Sequence, residues 1–164
     1  GEETANALRV PALIAANLIV FGLVLGVADR VGGKTRGVFD LSIKEALLIG
    51  AAQALALIPG TSRSGITMSA GLFLGLNRHE AARYSFLMGV PVTAAACAHG
   101  ALELYKSGEA FAWADFAIGA GVSAVAGIAC IHFLLHFLRR LGLMPFVWYR
   151  IALGLFVLGL VYLR

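Results

Sequence analysis

The stretch Ile58-Pro59-Gly60-Thr61-Ser62-Arg63-Ser64-Gly65-Ile66-Thr67 interrupts an apolar run that extends from Ala46 to Leu76. Pro59 removes a backbone donor, Gly60 favours a bend, and the four residues after them are polar, so one continuous helix is excluded. The run divides into halves at 46–58 and 65–76. At 1.5 Å per residue each half extends about 18–20 Å, short of the ~30 Å hydrocarbon core of a bilayer. The pair is therefore expected to enter the membrane to roughly its middle and return to the same side. Gly71 and Gly75, spaced as small-xxx-small, are expected to let the second half pack closely on a neighbour.

The composition around this stretch places the chain in lipid. Of its 164 residues, 60% are hydrophobic and 13% charged, with a mean hydropathy of +0.87. A soluble domain carries roughly 25% charged residues to cover its surface. Segments 10–28, 84–102 and 116–138 are apolar and long enough to span. Segment 146–163 joins them if Arg150 snorkels to the headgroups, with Pro145 opening the helix and Trp148 and Tyr149 as interface anchors. The expected fold is an all-α integral membrane protein, a single domain over 1–164 with four transmembrane helices and one re-entrant helix pair at 46–76. Gly1 to Leu8 carries no cleavable signal pattern and the chain does not begin with Met, so it reads as a fragment. Cys97 and Cys130 show no CxxC pairing and read as small buried hydrophobes.

Basic residues discriminate between a returning pair and a single broken crossing. If the pair returns, nine of the basic side chains, Arg150 among them, gather on one side against Arg9, Lys106 and Arg164 on the other. A single crossing gives six against six. The positive-inside bias favours the first arrangement and makes the loops at 29–44, 77–83 and 139–144 cytoplasmic. The formal charge of +4 is thereby assigned to membrane orientation, and no nucleic-acid partner is expected.

Arg63 belongs to neither surface. A guanidinium in the bilayer interior costs at least about 2.5–3.5 kcal/mol, which makes it a functional-site candidate with an anionic partner, a carboxylate or a phosphate. Phosphate is favoured by the local chemistry. Gly60 and Gly65 permit close backbone approach, and Thr61, Ser62, Ser64 and Thr67 supply hydroxyl donors. The helix opening at Ser64 or Gly65 directs free N–H groups into the bend. A nucleotide-binding P-loop is excluded, because Ile66 stands where its lysine must be.

The run from Gln53 through Pro59-Gly60-Thr61-Ser62-Arg63-Ser64-Gly65-Ile66-Thr67 resembles the PGxSRSGxT signature of the undecaprenyl-diphosphate phosphatase, or bacitracin-resistance, family. The likeness continues through Asn77 to Leu87 and Pro91. It implies an enzyme of the bacterial inner membrane that hydrolyses undecaprenyl diphosphate to undecaprenyl phosphate and phosphate, recycling the lipid carrier of peptidoglycan synthesis. It further implies catalytic roles for Ser62, Arg63 and Thr67, and substrate contacts from Gly60, Thr61, Ser64, Gly65 and Gln53. A divalent cation, Mg²⁺ or Ca²⁺, is implied as cofactor, although its carboxylate ligands do not map onto this chain. The family is built of two inverted repeats and this chain resembles only the second. The completing partner is expected to be a preceding half of the same polypeptide, with a second copy of the chain, a homodimer, as the alternative.

Within the chain, Glu45 and Glu80 follow Ser42 and Asn77 and read as capping residues. His79, His99, His132 and His136 read as interface or packing residues, so no base for a serine nucleophile can be named. The segment alone is expected to be catalytically incomplete. A mid-membrane anion site in a broken helix also suits a transporter or flippase of isoprenyl phosphate lipid, the second functional class considered.

Overall fold

The computed structural model describes residues 2–107 and 113–163. Its helices are α1 (Glu2–Val31), α2 (Ile43–Gln53), α3 (Arg63–Phe73), α4 (Arg78–Ser107), α5 (Trp113–Leu141) and α6 (Met144–Tyr162), with short 3₁₀ turns at Val38–Asp40 and Ala54–Leu57. Four of these are long and apolar enough to cross a membrane, over Val10–Val31, Arg78–Lys106, Ala114–Leu141 and Met144–Tyr162. The chain is an all-α membrane protein. Helix α1 continues outward beyond the expected start at residue 10, passing through Pro11.

α3 is the structural centre. Seven of its eleven residues are buried, and it contacts α1, α2 and α4. A core of Leu25, Ile49, Met68, Leu72, Leu138 and Val147 draws on all of the helices except α4, which adds Ala81 and Ala82. The largest helix contact joins α1 to α6. Small residues make it close: Gly22 meets Arg150 Cβ, Gly26 meets Val147, and Gly154 fits against Ile19 and the carbonyl of Ala15. The buried positions Val147, Arg150 and Gly154 fall at helical spacing on α6, so this face is fixed by sequence period. Elsewhere large apolar side chains such as Val122, Ile128 and Phe133 remain exposed, as lipid-facing residues do.

The segment between Arg36 and Leu76 begins and ends at one point. Arg36 N–H donates to Gly75 O at 3.0 Å and Asn77 N–H donates to Arg36 O at 3.0 Å, a single parallel bridge. α2 and α3 pack on each other between those ends. Gly75 lies past the end of α3 at φ 88°, where it stops the helix and meets the Arg36 side chain. The close-packing role expected of Gly75 within a helix is thus corrected: its use is the left-handed turn, which disfavours a Cβ.

The three basic loops converge at this same end. Asp29, 1% exposed, accepts from Arg78 Nε at 2.5 Å and Nη2 at 3.0 Å. Arg139 Nη2 lies 3.2 Å from His79 Nε2, and Gly142 packs on the Arg78 guanidinium. Arg36 clamps Glu45 from the loop, and with Ser42 it holds that carboxyl at a pKa of about 2. Ser42 and Glu45 form a capping box on α2, and Asn77 caps the N–H of Glu80. Arg9, Glu109 and Arg164 lie outside the described side chains.

α6 contains an internal control for the α1 contact. A Cβ at Gly154 comes within 2.6 Å of Ile19 and 2.9 Å of the Ala15 carbonyl, whereas at Gly159 it meets nothing within 4 Å. Gly154→Ala is expected to destabilise by roughly 1–3 kcal/mol, and Gly159→Ala to be neutral or slightly stabilising. Thermal unfolding of the detergent-solubilised protein checks this; equal effects would refute the α1–α6 register.

Candidate anion site at the broken helix

The bend at 58–62 is carried far along α1. Asn17 Nδ2 donates to Pro59 O at 2.7 Å, and Gly60, at φ 89°, is pressed against Ile14 so closely that a Cβ would lie 2.5 Å from its carbonyl oxygen. Asn17 stands about 21 Å along the helix from Val31, in a span of about 33 Å. The bend therefore reaches well along α1 from the loop end. The side of Gly60 that a Cβ would occupy is thus filled by α1.

α3 opens at Arg63, with Ser62 as its N-cap. Ser62 sits at φ 67°, unusual for a residue with a side chain, and its Oγ accepts from Gly65 N–H at 3.3 Å. Ser64 Oγ lies 3.5 Å from Ser62 Oγ. The first-turn amides and both hydroxyls thus gather where the helix dipole is positive.

The expected site residues divide between two faces of α3. Ser62, Ser64 and Gly65 line a cavity of about 240 Å³ together with Tyr149 and Arg150; its remaining wall is apolar, with Leu25, Met68 and Leu138 among the contributors. Arg63 turns instead toward α4, where its guanidinium lies over Gly89; a Cβ there would come within 2.5 Å of Nη2. It is partly buried, and among the described residues no carboxylate pairs with it. Thr67, 1% exposed, points to α4 as well. Its Oγ1 donates to Arg63 O or Ser64 O and is 2.7 Å from Ser85 Oγ, so this hydroxyl is occupied in holding α3 to α4. Thr61 is wholly buried, and its Oγ1, like Gln53 Oε1 and Arg150 Nε, has no hydrogen-bond partner among the described residues.

Arg150 is the residue that the sequence reading misplaced. Instead of snorkelling to headgroups it is 8% exposed, and Nη2 donates to Gly60 O at 3.0 Å and Thr61 O at 2.8 Å. Its Nη1 occupies the space a Cβ on Gly65 would need. Gly65 accordingly makes room for a guanidinium. Arg150 was not legible as a partner of the bend because it lies ninety residues beyond Gly60; the available signal was a lone cation within an otherwise apolar span.

Carboxylates do not gather at this site. Asp29, Glu45 and Glu80 are engaged at the loop end, and no three His, Cys, Asp or Glu side chains among the described residues are placed to hold a metal ion. His132 and His136 are exposed on α5, and His99 lies 3.8 Å from Glu103. Cys97 and Cys130 are exposed, so the expectation of buried thiols is corrected: the faces that carry them lack protein neighbours.

The Ser62 geometry separates strain from capping. Ser62→Gly relieves the positive φ and loses a few tenths of a kcal/mol of cap, whereas Ser62→Ala keeps the strain and loses about 1 kcal/mol. The expected order of melting temperature is glycine at or above wild type and alanine below it. A glycine variant as unstable as the alanine variant would contradict this account of the bend.

The family model described as "Bacitracin resistance protein BacA" matches residues 2–156. The undecaprenyl-diphosphatase of Hahella chejuensis is 53% identical over 147 residues, which is 90% of this chain and 55% of that protein. Those of Teredinibacter turnerae and Nitrosococcus oceani are each 48% identical, over 90% and 93% of this chain and 56% and 58% of their own lengths. The chain thus spans little more than half the length of the curated relatives it matches.

Proposed function

Because this chain belongs to the bacitracin-resistance BacA family, we propose that it is the diphosphate-gripping part of an enzyme that hydrolyses undecaprenyl diphosphate to undecaprenyl phosphate and phosphate. The reaction returns a lipid carrier to peptidoglycan synthesis at the bacterial inner membrane. The observation that carries the reading is the amphipathic cavity at the mouth of α3, with two serines, a helix N-terminus and a guanidinium at one end and apolar walls elsewhere. A C55 tail cannot leave lipid without exposing a large area at ~25 cal/mol per Å², so its headgroup must be received inside the membrane.

In this proposal α2 and α3 form the re-entrant pair of one inverted repeat. The hydrogen-bonded closure of Arg36 on Gly75 and Asn77 supports that topology, and the converging basic loops support a cytoplasmic position for this end. Ser62 and Ser64 donate to phosphoryl oxygens, Arg63 neutralises charge from the α4 side, and Thr67 positions Arg63 by tying its carbonyl to Ser85. Ser62 is the candidate nucleophile. The described residues supply neither a base for it nor a ligand set for Mg²⁺ or Ca²⁺. On this reading the described residues do not complete the reaction, and a preceding half of the polypeptide is proposed to supply the rest.

Phosphate release from C55 diphosphate tests this in the natural polypeptide that carries the sequence. Arg63→Ala is expected to lower turnover about a hundredfold or more. Ser62→Ala should lose hydrolysis while retaining diphosphate binding; unchanged hydrolysis with lost lipid translocation would instead establish a carrier. Residues 1–164 alone should show no turnover. Robust release by this segment, as monomer or homodimer, would overturn its incompleteness.

A further inference from the structure

Arg150 is a cation 8% exposed, in the second turn of an apolar helix, and among the described residues no carboxylate lies within ion-pair distance. Removing one partner from a buried charge is strongly unfavourable, so a lone buried guanidinium is retained only where something uses it. Its compensation here is two carbonyl oxygens, those of Gly60 and Thr61, both taken by Nη2. These two carbonyls immediately precede the N-cap of α3. Left free, they could turn their negative ends toward the mouth where Ser62, Ser64 and the Gly65 amide converge, and they would repel an anion there. Nη1 rests over Gly65, on the wall of the same cavity, and Nε has no partner.

From this geometry we infer that Arg150 is a positioning residue for the anion site: it holds the Gly60 and Thr61 carbonyls away from the mouth of α3, fixes Ser62 at its positive φ, and adds positive potential to the cavity. The inference rests on the reading of that cavity as a diphosphate-lipid site. Two guanidinium groups then lie beside one helix N-terminus, Arg63 of α3 itself, turned toward α4, and Arg150 of α6, each seated over a glycine, Gly89 and Gly65 respectively. Arg63 is free to close on a ligand, whereas Nη2 of Arg150 is committed to the backbone.

The test compares Arg150→Met, Arg150→Lys and Arg63→Ala in the natural polypeptide, with KM and kcat for C55 diphosphate measured alongside melting temperature. Arg150→Met is expected to raise KM about tenfold or more, the cost of losing hydrogen bonds from a charged donor. Arg150→Lys, which keeps the charge but not the fork, should recover part of that loss. A lowered melting temperature with KM unchanged in the folded fraction would show a structural role alone and overturn the inference. If Arg150→Met does not fold, Gly65→Ala displaces Nη1 and leaves both carbonyl acceptors in place; a KM equal to wild type there would also overturn it. Unimpaired diphosphate binding in Arg63→Ala would sink the underlying site, whereas lost binding in Arg63→Ala beside a normal KM in Arg150→Met would sink only the role of Arg150.

Discussion

A backbone that leaves helical geometry inside hydrocarbon must find hydrogen-bond partners within the protein, because lipid offers none. Residues 58–62 leave helical geometry between α2 and α3, and their partners come from distant parts of the chain. Asn17 of α1 binds the Pro59 carbonyl, Arg150 of α6 binds the next two, and Ser62 caps the helix that follows. The α1–α6 contact brings both outer helices to the bend, and its glycines allow the approach. α3, which follows the interruption, is enclosed by α1, α2 and α4.

The same constraint accounts for the chemistry. Partners that satisfy carbonyl groups are donors, so the protein around the bend is rich in N–H and positive charge. The start of α3 contributes free amides to that surplus. Carboxylates are not among the partners of the bend: Asp29 and Glu45 secure arginines at the loop end, and Glu103 and Asp115 lie toward the other end of α4 and α5. What results is a positive, hydroxyl-lined recess between apolar walls. The same division places no cluster of metal-ligating side chains beside the bend among the described residues.

Much of this was legible in the sequence because it depends on local signals. Pro59-Gly60 and the polar residues after it marked the break, apolar lengths marked the four spans, the last of them despite Arg150, and Ser42 with Glu45 marked a cap. The distribution of arginine and lysine anticipated which loops would meet, through contacts such as Arg78 with Asp29 and Arg139 with His79. Pairings set by tertiary packing were not legible. Arg150 had an ordinary explanation near a span end, and only the approach of α6 to α1 gave it two carbonyls. Gly60 and Gly65 were singled out for close backbone approach, and the space beside them is filled by α1 and by Arg150. Thr67 and Arg63 face α4 because α3 is covered on several sides, and a sequence motif does not reveal which side a residue will take.

The central claim is that the first turn of α3 and the guanidinium of Arg63 receive the phosphates of a membrane-bound lipid. The most direct measurement is solid-state NMR in bilayers, reading dipolar coupling from the ³¹P nuclei of isoprenyl diphosphate to ¹⁵N in the Gly65 amide and the Arg63 side chain. Coupling to both, at the distance of a hydrogen-bonded phosphate, is the predicted result. Bound lipid whose phosphorus nuclei couple to neither nitrogen would contradict it.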